Sequence, residues 1–302
     1  MSAAYTATRV RGMASWRPQA RTQVLLDQIA TVLSDYADHL PLTGRQVFYR
    51  LVATMDYPKT ENAYKNLLEV LNRARRAGLV AFDDIRDDGV TVIEPDGFDD
   101  MSDFWRVVSA WATSYRRDRQ AGQSVACEVW VEAAGMVPQV ARAVERFGVP
   151  VYSSGGFDST TAKYSAARRV IRRVVPTVVL HLGDLDPSGV AVFDSAADDV
   201  ATMVADLGSP GAVQFERVAV TTEQAVAYDL PAAPAKVTDR RGNWTGGTVQ
   251  AEAFDPATLA AIVEAAVEDV VDPTILAWVE QIEAVERAEL VAAIEAVSAG
   301  WR

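Results

Sequence analysis

The stretch HLGDLDPSG, residues His181 to Gly189, decides how this chain reads. Val178, Val179, Leu180 and Leu182 run into Asp184-Leu185-Asp186-Pro187. The pattern predicts a buried strand ending in two carboxylates one residue apart. Alternate side chains of a strand share a face, which points Asp184 and Asp186 the same way. At the C-terminal edge of a parallel sheet such a pair is a hard-oxygen site suited to Mg²⁺, with Mn²⁺ as the alternative ion. Pro187, Ser188 and Gly189 then turn the chain, and Val190 to Val204 reads as a helix. The plain alternative is a solvated Asp-rich turn.

A second segment bears on that choice. Cys127 to Val131, CEVWV, reads as a short strand that delivers Glu132 at its end. A helix from Met136 to Phe147, a strand from Val149 to Ser153 and the pair Gly155-Gly156 follow. Two strand ends of one α/β unit therefore carry acids. This arrangement resembles the Toprim domain of topoisomerases, primases and related nucleases. The resemblance implies that Glu132 serves as general acid/base or metal ligand, and that Glu132, Asp184 and Asp186 hold Mg²⁺. The DPSG ending is most similar to the topoisomerase VI A subunit and meiotic double-strand-break transesterase family, whose motif is Asp-x-Asp-Pro-x-Gly. GGFDS, Gly155 to Ser159, resembles that family's glycine-bearing loop. The family usually has Lys directly after the Glu; here Ala133 stands there.

The chain has 302 residues and 49% apolar content, enough for two packed cores. No apolar run reaches membrane-spanning length, so no membrane partner is expected. The first 26 residues hold four Arg and no acid but no apolar signal core, which argues against secretion. The single Cys127 suits a reducing cytoplasm, and one Cys with two His cannot build a zinc cluster. The net charge of -12 is unevenly spread. Residues 252–295 hold 11 acids and one Arg, whereas residues 45–76 hold seven basic and three acidic groups. A local basic face, rather than the global sum, governs phosphate contact.

Arg21 to Leu40 reads as an amphipathic helix with Val24, Leu25, Ile29, Val32 and Leu33 inward. Thr43 and Thr60 read as N-caps of helices to Thr54 and from Glu61 to Ala77. Val80 to Ile85 and Val90 to Ile93 flank Asp87-Asp88-Gly89 as a hairpin. Three helices and a hairpin make a winged helix, whose third helix usually contacts DNA. That helix offers Lys65, Arg73, Arg75 and Arg76. Arg168, Arg169, Arg172 and Arg173 line the outer face of a helix from Ala162 to Val175, and Arg172 and Arg173 join the expected DNA contacts. Phe98 to Gln120 reads as a connecting helix. A Pro-rich polar loop with Lys236, Asp239, Arg240 and Arg241 precedes an acidic helical tail, Pro256 to Arg302. The expected fold is α/β: an arm (1–22), a winged-helix domain (23–97), a connecting helix (98–124), a Rossmann-like Toprim domain (125–230) and a helical C-terminal extension (231–302).

On the second helix, Val47, Phe48, Leu51 and Val52 share an arc, and Tyr49 points away from it. Tyr49 is thus expected outside the core, with Arg45 four residues earlier on a neighbouring surface. A tyrosyl nucleophile needs such a cation, because its ordinary pKa is about 10. The segment Arg45-Gln46-Val47-Phe48-Tyr49 resembles the topoisomerase VI A motif Arg-x-x-Phe/Tyr-Tyr, with Gln46 departing from the acid common there. The resemblance implies that Tyr49 links covalently to double-stranded DNA, and that a homodimer brings the tyrosine of one subunit to the metal site of the other. The chain also resembles uncharacterised phage and bacterial proteins through RQVFYRLV, AGLVAFDDI, GDLDPSG, VAVTTEQ and LPAAPAKVTDRR. No Walker-type phosphate loop is present, so a full topoisomerase VI reaction would need a separate ATPase B-type subunit. Three activities stay open: covalent strand breakage by Tyr49, a Toprim nuclease using metal-activated water, and a non-catalytic DNA-binding scaffold.

Overall fold

The structure, a computed structural model, describes residues 13, 15–86, 97–155, 159–234, 244 and 247–300. It is a mixed α/β chain with two parallel sheets and two compact units, each discontinuous in sequence. Among the described residues no helix is long and apolar enough to cross a membrane.

The first unit comprises residues 1–89, 184–187 and 220–259. Its helices are α1 (Ala20–Asp35), α2 (Gly44–Thr54) and α3 (Glu61–Arg76). Leu25, Leu26, Ile29, Val32 and Leu33 of α1 are buried with Val47, Phe48 and Leu51 of α2 and Leu67, Val70 and Leu71 of α3. Val24, expected inward, is 58% exposed, and Leu26 takes its place. α2 starts where expected: the Thr43 hydroxyl accepts from Gln46 N, and the Gln46 side chain accepts from Thr43 N, a reciprocal cap. Thr60 caps α3 by accepting from Ala63 N.

β1 (Leu42–Thr43) and β2 (Ile85–Arg86) pair in parallel. The expected strand Val80–Ile85 is therefore mostly absent. Residues Phe82–Asp84 form a 3₁₀ turn, and two consecutive aspartates favour such a turn over a ladder. The hairpin turn Asp87-Asp88-Gly89 and its second strand lie outside the described residues.

The second unit comprises residues 90–183, 188–219 and 260–302. Its sheet holds β3 (Ala126–Val131), β4 (Val151–Ser153), β5 (Thr177–Leu182) and β6 (Val213–Ala219), all parallel in the order β4-β3-β5-β6. β3 is buried along its whole length and β5 nearly so, as strands covered on both faces must be. The crossovers run through α5 (Val137–Ala143), α6 (Thr160–Arg172) and α7 (Pro187–Asp206). Trp130, Val179, Ala166, Ala167, Val170, Ala196 and Val200 form one core cluster.

α7 begins at Pro187 itself, so Pro187-Ser188-Gly189 do not make the separate turn expected. Proline suits the first helical position, where no amide hydrogen is needed. The connecting helix, α4 (Met101–Thr113), is shorter than expected; Asp100 caps it by accepting from Asp103 N. After α8 (Thr222–Ala227) the acidic tail is two helices, α9 (Pro256–Glu268) and α10 (Pro273–Ala299), divided by the Asp272 cap and Pro273. Its acids are not all solvated. Buried Glu283 accepts from Arg119 and Arg287, Arg117 pairs with Glu286, and α10 packs on α4.

Candidate functional site

The sheet order makes the first feature of the site. β3 runs out to β4 on one side and the chain then crosses to β5 on the other, so the carboxyl ends of β3 and β5 flank a topological switch point, the usual place for a ligand in such sheets. Glu132 follows β3, and its amide donates to Leu182 O at 2.8 Å. Gly183 follows β5; its amide donates to Ala219 O, and its carbonyl accepts from Arg217 at 2.9 Å. A Cβ on Gly183 would lie 2.6 Å from Glu132 Oε2 and 2.5 Å from His181 Cε1. Only glycine leaves that space between carboxylate and imidazole.

His181 is 2% exposed and stacked on Phe193, ring centroids 3.9 Å apart. Burial, then the Arg217 charge, lowers its pKa to about 3, so it is neutral. Among the described residues its buried Nδ1 meets no hydrogen-bond partner. The histidine was not among the residues singled out from sequence. The Gly155 end of the glycine loop lies against the Glu132 carbonyl, whereas Gly156, Phe157 and Asp158 lie outside the described residues.

The two aspartates are placed differently from the sequence expectation. β5 ends at Leu182, so neither Asp184 nor Asp186 stands on a strand. Leu185 instead forms an antiparallel bridge to Val249 in the first unit. Asp184 Oδ1 accepts from Ala251 N at 2.9 Å. The segment is clamped by backbone pairing that no short-range pattern announces.

Tyr49 also departs from expectation. It is 5% exposed rather than on an open face. The reason is the segment 249–255, which covers the side of α2 opposite its helical partners. Tyr49 donates to Gln250 Oε1 at 2.6 Å. Beside it Arg50, also buried, donates to Ala253 O and pairs with Asp255 at 3.8 Å, and Tyr36 donates to Asp255. Burial pushes the Tyr49 pKa up to about 12; Arg45 opposes this, while Glu252 and Asp184 add to it. Burial alone would lower the Arg45 pKa, but Glu252 and the Tyr64 hydroxyl hold it above its ordinary value. Arg45, Asp184 and Glu252 thus all act on Tyr49 inside a single compact unit. Gln250 and Glu252 were missed in the sequence because they lie about 200 residues away and carry no motif.

The expected DNA contacts divide. Lys65 and Arg73 are exposed on α3 and pair along the helix with Glu61 and Glu69, both at 2.7 Å. Arg76 donates to Asn72, and the Arg75 guanidinium lies 4.7 Å over the Phe82 ring. Such surface pairs are weak and leave the charges able to meet phosphate. Arg172 is exposed on α6. Arg173 is not a free surface charge, since it pairs with buried Glu128 at 2.9 Å. The spacing that put it on the outer face did not reveal a buried acid on β3. Arg169 joins the same acid. Lys236, Asp239, Arg240 and Arg241 lie outside the described residues.

The carboxylates of Glu132, Asp184 and Asp186 are hard oxygen donors of the kind that Mg²⁺ takes. Among the described residues, however, no group of three His, Cys, Asp or Glu side chains is gathered to hold a metal ion. The chain matches no protein-family model, and no curated protein matches it.

Proposed function

We propose that the chain is a divalent-metal-dependent DNA strand-breaking enzyme in which Tyr49 attacks the phosphodiester. The observation that carries this reading is that adjacent residues tie Tyr49 and Asp184 together within one compact unit: Gln250 accepts from the Tyr49 hydroxyl, and Ala251 N donates to Asp184. The winged-helix and Toprim resemblances of the sequence point the same way.

In this reading Arg45 orients a phosphate and favours the phenolate. Gln250 holds the Tyr49 hydroxyl in place. Tyr49 Oη forms a bond to phosphorus as the bond from phosphorus to a sugar oxygen breaks. The phenol proton passes to the Glu252 carboxylate, and the departing sugar oxygen takes up a proton from water. Glu132, Asp184 and Asp186 are the residues that would hold Mg²⁺ or Mn²⁺, which supplies charge stabilisation for the phosphate when bound. Lys65, Arg73, Arg75, Arg76 and Arg172 supply duplex contacts through phosphates.

A second reading, hydrolysis by metal-activated water, is favoured by one observation: buried Tyr49 has a pKa of about 12 and is far from ionised at neutral pH. Plasmid cleavage with Mg²⁺ or Mn²⁺, run with and without detergent and protease, separates the two. Tyr49 attack leaves a denaturation-resistant protein–DNA adduct that Tyr49→Phe abolishes. Cleavage at the parent rate by Tyr49→Phe would overturn the covalent reading. Unchanged cleavage by Asp184→Asn with Asp186→Asn would overturn the metal assignment.

The homodimer is tested by mixing these two variants. Return of single-strand nicking means that the tyrosine of one subunit works with the acids of another. No return assigns Tyr49 and Asp184 to one chain, the arrangement that the field of Asp184 on Tyr49 favours.

A further inference from the structure

The cavity beside Tyr49 lies wholly within the first unit and measures about 200 Å³. Arg45 of α2 and Lys59, just before α3, bring two cations to it; Phe48 and Tyr64 form its apolar wall, and Gln250 closes one side. One acid, Glu61, also reaches its edge, but its carboxylate pairs with Lys65 at 2.7 Å.

A cation drawn into a partly buried cavity loses hydration, and an anion beside it offsets that cost; Arg45 is partly answered already by Glu252. Lys59 shows that cost: burial lowers its pKa from the ordinary value. Lys59 donates to Pro231 O, which occupies one of its three hydrogens. Its Nζ lies 5.4 Å over the Tyr49 ring. The Arg45 guanidinium stands 5.8 Å over Tyr64 and offers the planar fork that suits phosphate. At about 30 Å³ per water the cavity takes a phosphate with part of one sugar, and it is smaller than the usual pocket for a drug-sized ligand.

We propose that this cavity is the seat of a single phosphate group of a nucleic-acid strand, held between Arg45 and Lys59 with its sugar against Phe48 and Tyr64. The strand as source of the phosphate rests on the strand-breaking reading; the seat itself does not. Neither charge spacing nor motif marked Lys59 in the sequence. The lysine that the resembled family carries after its strand-end Glu is absent here, and Lys59 brings a lysine to the tyrosine instead.

The test is made without divalent metal, so that no strand is cut. Inorganic phosphate, then a 20-base-pair duplex, is titrated into the full chain by calorimetry. Inorganic phosphate is expected to bind in the millimolar range. Lys59→Gln and Arg45→Gln should each weaken it at least tenfold, Lys59→Arg should restore it to within threefold, and Lys163→Gln, which pairs with Asp199 in the second unit, should leave it unchanged. Far-UV circular dichroism checks that each variant folds. No phosphate binding, or equal binding by parent and Lys59→Gln, overturns the seat. A tenfold loss for inorganic phosphate with less than twofold loss for the duplex overturns the nucleic-acid source and leaves a seat for free phosphate. Lys59-dependent phosphate binding by a chain that cuts no plasmid supports the seat and counts only against the strand-breaking reading.

Discussion

Glu128 and Tyr49 are both buried ionisable groups, one in each compact unit, and their surroundings treat them in opposite ways. Glu128 is 1% exposed and surrounded by donors: Trp130 Nε1 at 3.0 Å, two hydrogens of Arg169 at 3.1 Å, and Arg173 at 2.9 Å. Arg169 in turn lies 3.9 Å over the Tyr152 ring. These donors come from β3 itself, from α6 and from the residue after it, so the cluster locks β3 to α6. Tyr49 has one hydrogen-bond partner among the contacts described, Gln250, while Glu252 and Asp184 oppose its ionisation. A charge answered on every side is architecture. A proton held where neighbouring carboxylates can receive it suits chemistry.

The largest stability effect should come from breaking the first arrangement. Glu128→Ala strands two arginines and the indole donor of Trp130 around a cavity. Removing one partner of a buried ion pair costs about 3–5 kcal/mol. The arginine side chains keep 25% and 23% exposure, which lets them recover some hydration, so the loss should be near the lower end, about 3 kcal/mol. Urea denaturation measures it. A loss under about 1 kcal/mol would place Glu128 among ordinary surface pairs and erase the contrast with Tyr49.

A smaller, pH-dependent effect belongs to His181. Its pKa is about 3 in the folded chain against about 6.5 when unfolded. A depressed folded value means that the unfolded chain binds the proton first. The stability His181 contributes is therefore complete above about pH 6.5 and is lost as pH falls toward about 3. In urea the parent midpoint should fall between pH 6.5 and pH 5, where few carboxylates titrate. His181→Asn should flatten that slope whatever its stability at pH 7. Equal slopes would mean that the imidazole reaches water.

The same contrast explains what could be read from the chain alone. The second unit's sheet was legible because fully buried parallel strands are continuous apolar runs: CEVWV and the stretch before Gly183 each became a strand within a residue or two of expectation. The helix caps at Thr43 and Thr60 were legible because capping is local. What could not be read was long-range. Helical period placed Tyr49 opposite the α2 core arc, but period says nothing about a segment two hundred residues on that covers the other side. Arg173 looked like a surface charge because Glu128 lies on a different element. The same limit hid the Val249–Ala251 clamp on Asp184-Leu185.

The smallest stability effect should attend the residue proposed to do the chemistry. Tyr49→Phe removes one hydroxyl and leaves the ring, which stays packed edge-on against Phe48 at 5.5 Å. The lost hydrogen bond has a half-buried partner, Gln250, that water can reach, so the expected cost is about 1 kcal/mol or less. The linkage supplies a second reading. The Tyr49 pKa is raised from 10 to about 12, so its contribution to stability is complete below about pH 10 and is lost as pH rises through about 12. Parent stability should then fall between pH 10 and 12 by more than that of Tyr49→Phe. With cleavage measured on the same preparations, the comparison becomes sharp: Glu128→Ala should weaken the fold and lower activity only as far as the fold is lost. Tyr49→Phe should keep the fold and lose the covalent adduct entirely. A Tyr49→Phe protein destabilised by about 3 kcal/mol at pH 7 would make Tyr49 a packing residue like Glu128, and the distinction between a locked group and a reactive one would fail.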